Sequence, residues 1–148
     1  MPASRHRARE LAVQMCYQWE LNPHSLEDAA VIQRFWVEQA ESHPENRTYF
    51  EKLVRGVAQW LPSIDTQIEE TLENWKMSRV EKVDLAVLRV GVFELLYLKE
   101  LGLDKIDVPI VINEAVEIAK KFGTAESAKF VNGVLDALAR RKGLPLVV

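Results

Sequence analysis

Residues 79–99 read RVEKVDLAVLRVGVFELLYLK, and this stretch decides the fold. At about 100° per residue, Val80, Val83, Ala86, Val87, Val90, Phe93, Leu96 and Tyr97 cover most of a helix circumference. A helix with so little polar face is normally enclosed by other helices. Just upstream, Ser78 and Glu81 have the S-x-x-E spacing of a capping box, which predicts a helix start there.

Working outward, helical periodicity continues in both directions and strand alternation is hard to find. Pro23, Pro44, Pro62, Gly102, Pro109, Gly123, Gly143 and Pro145 punctuate the chain. The pieces between them predict helices over about 4–21, 25–41, 45–61, 63–75, 79–99, 109–122 and 124–141. Pro109 suits a first helical turn, and Val108 before it is pushed towards an extended conformation. Gly123 suits a left-handed helix terminus, with Thr124 free to cap the next helix. The expectation is an all-α protein of about seven helices around residues 79–99, in one domain spanning 1–148, with no parallel sheet to hold a nucleotide.

Length and composition agree with a folded domain: 148 residues, 48% hydrophobic and 28% charged. Neither a signal peptide nor a clean apolar span of about 20 residues is present, so a soluble, cytoplasmic protein with no membrane partner is expected. Cys16 is the single cysteine and reads as a small buried hydrophobe. His6, His24 and His43 are scattered, and no metal-ligand spacing or nucleotide-binding motif occurs. No metal, cofactor or catalytic group is therefore expected, and the chain reads as a non-enzyme.

The net charge of −3 argues at first sight against nucleic acid, but its distribution reverses the argument. Arg5, Arg7 and Arg9 make the first nine residues +3; residues 20–73 carry −7; residues 120–142 carry +4. Local fields of this kind decide docking more than the total does. On the first helix, Ala8, Leu11, Ala12, Met15 and Trp19 form a core stripe. His6, Glu10, Gln14 and Tyr17 fall on the opposite face, and Arg5 and Arg9 on a flank. Guanidinium groups pair bidentately with phosphates and an exposed ring offers a base a stacking surface. A merely solvated arm and a packed tyrosine account for the same residues.

Two further runs narrow the choice. Arg5 to Gln14 (RHRARELAVQ), continuing to Tyr17-Gln18, resembles the opening signature of the NusB family of transcription antitermination factors. Residues 112–123 (INEAVEIAKKFG) and 129–136 (KFVNGVLD) resemble its closing signature. Between them Arg79, Val83, Asp84, Ala86, Leu88, Arg89, Glu94 and Leu95 match the family's central helix. The resemblance spans nearly the whole chain, least diagnostically over 22–75.

The resemblance implies two small helical bundles, here about 1–75 and 76–148. It also implies a partner set: single-stranded boxA RNA of nascent transcripts such as ribosomal RNA leaders, the small-subunit ribosomal protein NusE, and RNA polymerase with NusA and NusG. The outcome would be resistance to premature, Rho-dependent termination. Carried over by position, Arg5, His6, Arg7, Arg9, Gln14, Tyr17, Lys129 and Phe130 become RNA contacts, and Tyr17 and Asp84 face NusE. His6 stands where many relatives have arginine, and Ala128 replaces a common histidine. Phe130 also lies at the edge of an apolar stripe of Val131, Val134, Leu135 and Leu138, so a core role accounts for it as well. Asn113 and Asn132 read as ties between backbones and Gly133 as a close helix contact. Two other readings are a scaffold that binds NusE without RNA and the NusB-like domain of ribosomal RNA cytosine methyltransferases. The latter needs a Rossmann-type domain with catalytic cysteines, for which this sequence has no room.

Overall fold

A computed structural model describes residues 5–21, 28–39, 44–73, 76–101 and 107–146. These form six α-helices: α1 (Arg5–Leu21), α2 (Ala29–Glu38), α3 (Pro44–Thr71), α4 (Lys82–Val92), α5 (Val108–Phe122) and α6 (Ala125–Arg141). No strand occurs among the described residues. His24 and His43 lie outside them.

Helix α4 occupies the centre. Every residue from Asp84 to Val92 is buried, and α4 touches α1, α3, α5 and α6. It continues as a π-helical turn, Phe93–Tyr97, and a 3-10 turn, Leu98–Leu101. Phe93, Glu94 and Leu95 are consecutive and all buried, so the wide turn carries an acid into the interior. Gly56 of α3 leaves room for this turn: a Cβ there would lie 2.1 Å from Cζ of Phe93. Arg89 clamps the assembly from its middle. It pairs bidentately with Asp65 of α3 at 2.9 and 3.0 Å and donates to Glu20 of α1 at 2.8 Å.

Three expectations are corrected. Pro62 does not divide two helices; it lies inside α3, so the count is six rather than seven. An interior proline costs about 3 kcal/mol, but Leu53, Val57, Ile64 and Ile68 are fully buried on both sides of it, with Trp60 and Leu61 packed partly against the core between them. Burial of such side chains, at about 1.5–3 kcal/mol each, outweighs the lost hydrogen bond. Ser78 and Glu81 form no capping box: Ser78 lies in a 3-10 turn, Met77–Arg79, and α4 starts at Lys82. Val80 is extended and buried between them, which breaks the box's geometry. Gly123 does end α5, but at φ −117°, not in the left-handed region. Close approach requires glycine there, because a Cβ would lie 2.5 Å from Ser127 Oγ. Thr124 caps α6 as expected, accepting from Ser127 N–H at 3.2 Å. Asp107 caps α5 by accepting from Ile110 N–H at 3.0 Å, and α5 starts at Val108, one residue before the expected point.

Candidate nucleic-acid interface

Helix α1 contributes most of the expected contact residues, and its neighbours decide which of them face outward. Ala8, Leu11, Ala12 and Met15 are buried, as the stripe requires. Trp19, placed in the same stripe, is half-buried with Arg89 over its ring at 5.3 Å. Cys16 is buried, and that burial pushes its thiol pKa up to about 12, so it stays protonated near neutral pH.

Arg9 points inward. Its Nε donates to both oxygens of Glu94 at 2.8 and 3.0 Å and its NH2 to Oε2 at 2.9 Å. Tyr49 of α3 donates its hydroxyl to the same oxygen at 2.7 Å. Arg9 is 6% exposed and Glu94 2%, so this is a buried ion pair. Burial opposes the Arg9 charge, but the Glu94 hydrogen bonds and charge outweigh it and the pKa rises. Burial raises that of the Tyr49 phenol, and the Glu94 charge pushes the same way. Arg5 lies exposed above the other part of this cluster, its guanidinium 4.5 Å from the Tyr49 ring centre.

The face opposite the stripe is not all solvent-facing, because α5 lies against it. Glu10 is buried and takes Lys121 Nζ at 2.6 Å. His6 Nδ1 meets the Glu114 carboxylate, and its Nε2 lies 3.7 Å from Glu10. Arg7 NH1 is 3.8 Å from Glu10, and Arg9 NH1 is 3.7 Å from Glu114. Acids from α1, α5 and the π turn thus hold the basic arm against the bundle.

Farther along α1 the surface opens. Gln14 and Tyr17 line a cleft of about 360 Å³ with Val13, Gln18, Val83 and Phe122. Val83 also lines a second cleft, of about 650 Å³, which holds Asp84, Ser127 and Phe130. Gln14, Tyr17, Asp84 and Phe130 are therefore gathered around Val83, while Arg5, His6 and Arg7 cluster at the far end of α1. Lys129 projects from α6 beside Phe130, with its ammonium 3.9 Å from Glu126.

Asp84 is the unusual member. It is 5% exposed, yet Oδ1 has no hydrogen-bond partner among the described residues. Burial raises its pKa; a Ser127 hydrogen bond lowers it, and the Glu81 charge raises it further. A buried carboxylate oxygen beside a cleft can accept a hydrogen bond from a donor that enters it. Phe130 is half-buried, packed on the core while it also lines the cleft.

Asn113, Asn132 and Gly133 are corrected. All three are exposed, and a Cβ at Gly133 would meet nothing within 4 Å. The residues not anticipated are Glu94, Glu114, Tyr49, Lys121 and Phe122. Glu10 and Arg7 at i, i+3 were a visible local signal, whereas Glu94 and Glu114 join the arm across 85 and 108 residues. Among the described residues no group of three His, Cys, Asp or Glu side chains is placed to hold a metal, and no helix is long and apolar enough to cross a membrane.

Residues 6–140 match the model of the NusB family. The transcription antitermination protein NusB of Anaeromyxobacter dehalogenans (strain 2CP-1) is 44% identical over 98% of this chain and 95% of its own. That of a Nitratiruptor species is 42% identical over 93% of each. Among solved structures, a chain in the crystal structure of antitermination factors NusB and NusE in complex with double-stranded RNA superposes with a TM-score of 0.81. It is 28% identical, over 94% of this chain and 99% of that one.

Proposed function

The chain belongs to the NusB family of transcription antitermination proteins, and from that premise we propose that it binds boxA RNA of nascent transcripts together with NusE. Ribosomal RNA leaders are the expected targets, and the complex, with NusA, NusG and RNA polymerase, acts against premature, Rho-dependent termination. The role is that of an adaptor in the cytoplasm and needs no catalytic group or cofactor.

The observation that carries this reading is the surface around Val83. Tyr17, Phe122 and Phe130 offer apolar faces there, and Asp84 lines the same surface with a buried acceptor that has no partner among the described residues. Ring faces can stack only on bases that have left a helix, which favours single-stranded RNA. Phosphate contacts come from Arg5, His6, Arg7 and Lys129, which fix register while the bases supply sequence information. Arg9 takes a different part in this proposal: engaged by Glu94 and Tyr49, it anchors the arm from below. Gln14 reaches base or sugar edges between the arm and the rings. Tyr17 and Asp84 face NusE, where Asp84 Oδ1 accepts a donor from a basic partner.

Fluorescence anisotropy with labelled boxA tests the reading. Phe130→Ala should weaken binding by roughly 1–3 kcal/mol, the worth of one base–aromatic stack. Asp84→Asn should weaken NusE binding measured without RNA. Unchanged affinities in folded variants would remove both side chains from the interface.

A further inference from the structure

Resting on the RNA-binding reading above, we infer that Lys121 is a further phosphate contact, and that the buried carboxylate of Glu10 is the positioning group that holds it there.

On α1, Arg7, Glu10, Gln14 and Tyr17 follow at spacings of three and four, so they form one row about 15 Å long. The last turns of α5 lie across this row. Lys121 lines a cleft of about 470 Å³ with His6, Asn113 and Glu117, and Phe122, next to it in the chain, lines the cleft of Gln14 and Tyr17. Its ammonium is 5.4 Å from the centre of the Phe122 ring. A strand that leaves the guanidinium groups of the arm for the aromatic surface must pass it.

Glu10 explains why a flexible lysine stays at that point. Its side chain is 5% exposed, and a carboxylate so buried persists only with cations around it. Oε2 accepts from Lys121 at 2.6 Å, while Oε1 lies 3.7 Å from His6 Nε2 and 3.8 Å from Arg7 NH1. One acid thus draws together cations from two helices that would otherwise repel one another. The Lys121 side chain is still 58% exposed. An ammonium has three donors and Glu10 takes one, so a phosphate oxygen can approach from solvent.

The two roles make opposite predictions about charge. If Glu10 were only a negative charge near RNA, Glu10→Gln would tighten binding. As the positioning group it should loosen binding, because Lys121 and Arg7 lose their common anchor.

The test is anisotropy of labelled boxA RNA between about 50 and 200 mM salt, where each phosphate contact on a single strand contributes about 0.7 to the log–log slope. Lys121→Gln should reduce the slope by about that amount and Lys121→Arg should restore it. Glu10→Gln should weaken binding, and adding Lys121→Gln to it should cost less than it does alone. An unchanged slope in Lys121→Gln, or tighter binding by folded Glu10→Gln, overturns the inference. So does a Lys121→Gln effect confined to NusE binding without RNA. If Glu10→Gln fails to fold, the two Lys121 variants decide. Failure of the wild-type protein to bind boxA would sink the RNA reading itself; wild-type binding that Phe130→Ala weakens and Lys121→Gln leaves alone would sink only this inference.

Discussion

Replacing Arg9 with methionine separates an anchor from a phosphate contact. Methionine keeps much of the aliphatic volume and removes the cation, stripping from Glu94 bonds of 2.8, 3.0 and 2.9 Å and leaving the Tyr49 hydroxyl at 2.7 Å. Breaking one side of a buried pair costs roughly 3–5 kcal/mol, whereas an exposed pair is worth at most about 1 kcal/mol. With Glu94 2% exposed, the larger figure applies. Domain stabilities are about 5–15 kcal/mol, and at this size about 2–4 °C is lost per kcal/mol. A Tm lowered by about 6–20 °C follows. Urea unfolding at pH 7 should show a lower midpoint with an unchanged slope. Adding Glu94→Gln should recover part of the loss. In the folded variant the salt slope of RNA binding should stay that of the wild type. A stability loss under about 1 kcal/mol, or a slope reduced by about 0.7, would refute the reasoning.

Other outcomes follow from the same geometry. Asp84→Asn should raise the Tm at pH 7, since burial holds the acid's pKa above 3.8 and the folded state disfavours its charge. The gain should fade as pH drops and vanish well below 3.8, where both folded and unfolded carboxyls are protonated. Gly133→Ala should stabilise by about 0.5–1 kcal/mol, because an exposed mid-helix glycine has no neighbour within 4 Å to obstruct a methyl. Gly56→Ala should destabilise by roughly 1–3 kcal/mol, since Phe93 lies 2.1 Å from the new Cβ and is fully buried.

The central helix was legible because its signal is local: residues that are apolar all round must be enclosed, and α4 is. Pro62 misled because a proline is punctuation only until packing on both sides holds the helix through it. The arm was legible as a place but not as a set of roles. Periodicity puts Arg9 on a flank of α1, yet nothing local says that Glu94 arrives beside that flank from the π turn. Glu10 fell on the nominally polar face for the same reason, since α5 covers it from a distant part of the chain. Asn113, Asn132 and Gly133 were assigned inward by residue type, and the helix phase places them outward. The open oxygen of Asp84 has no sequence signature at all.

Titration of boxA RNA into this protein with and without NusE tests the central claim most directly, with a scrambled strand and a boxA duplex as controls. The proposal predicts preference for the single boxA strand over both controls, with affinity raised when NusE is present. Equal affinity for boxA and scrambled RNA, or NusE binding with no response to RNA, would contradict it; the second result would make the protein an adaptor for proteins alone.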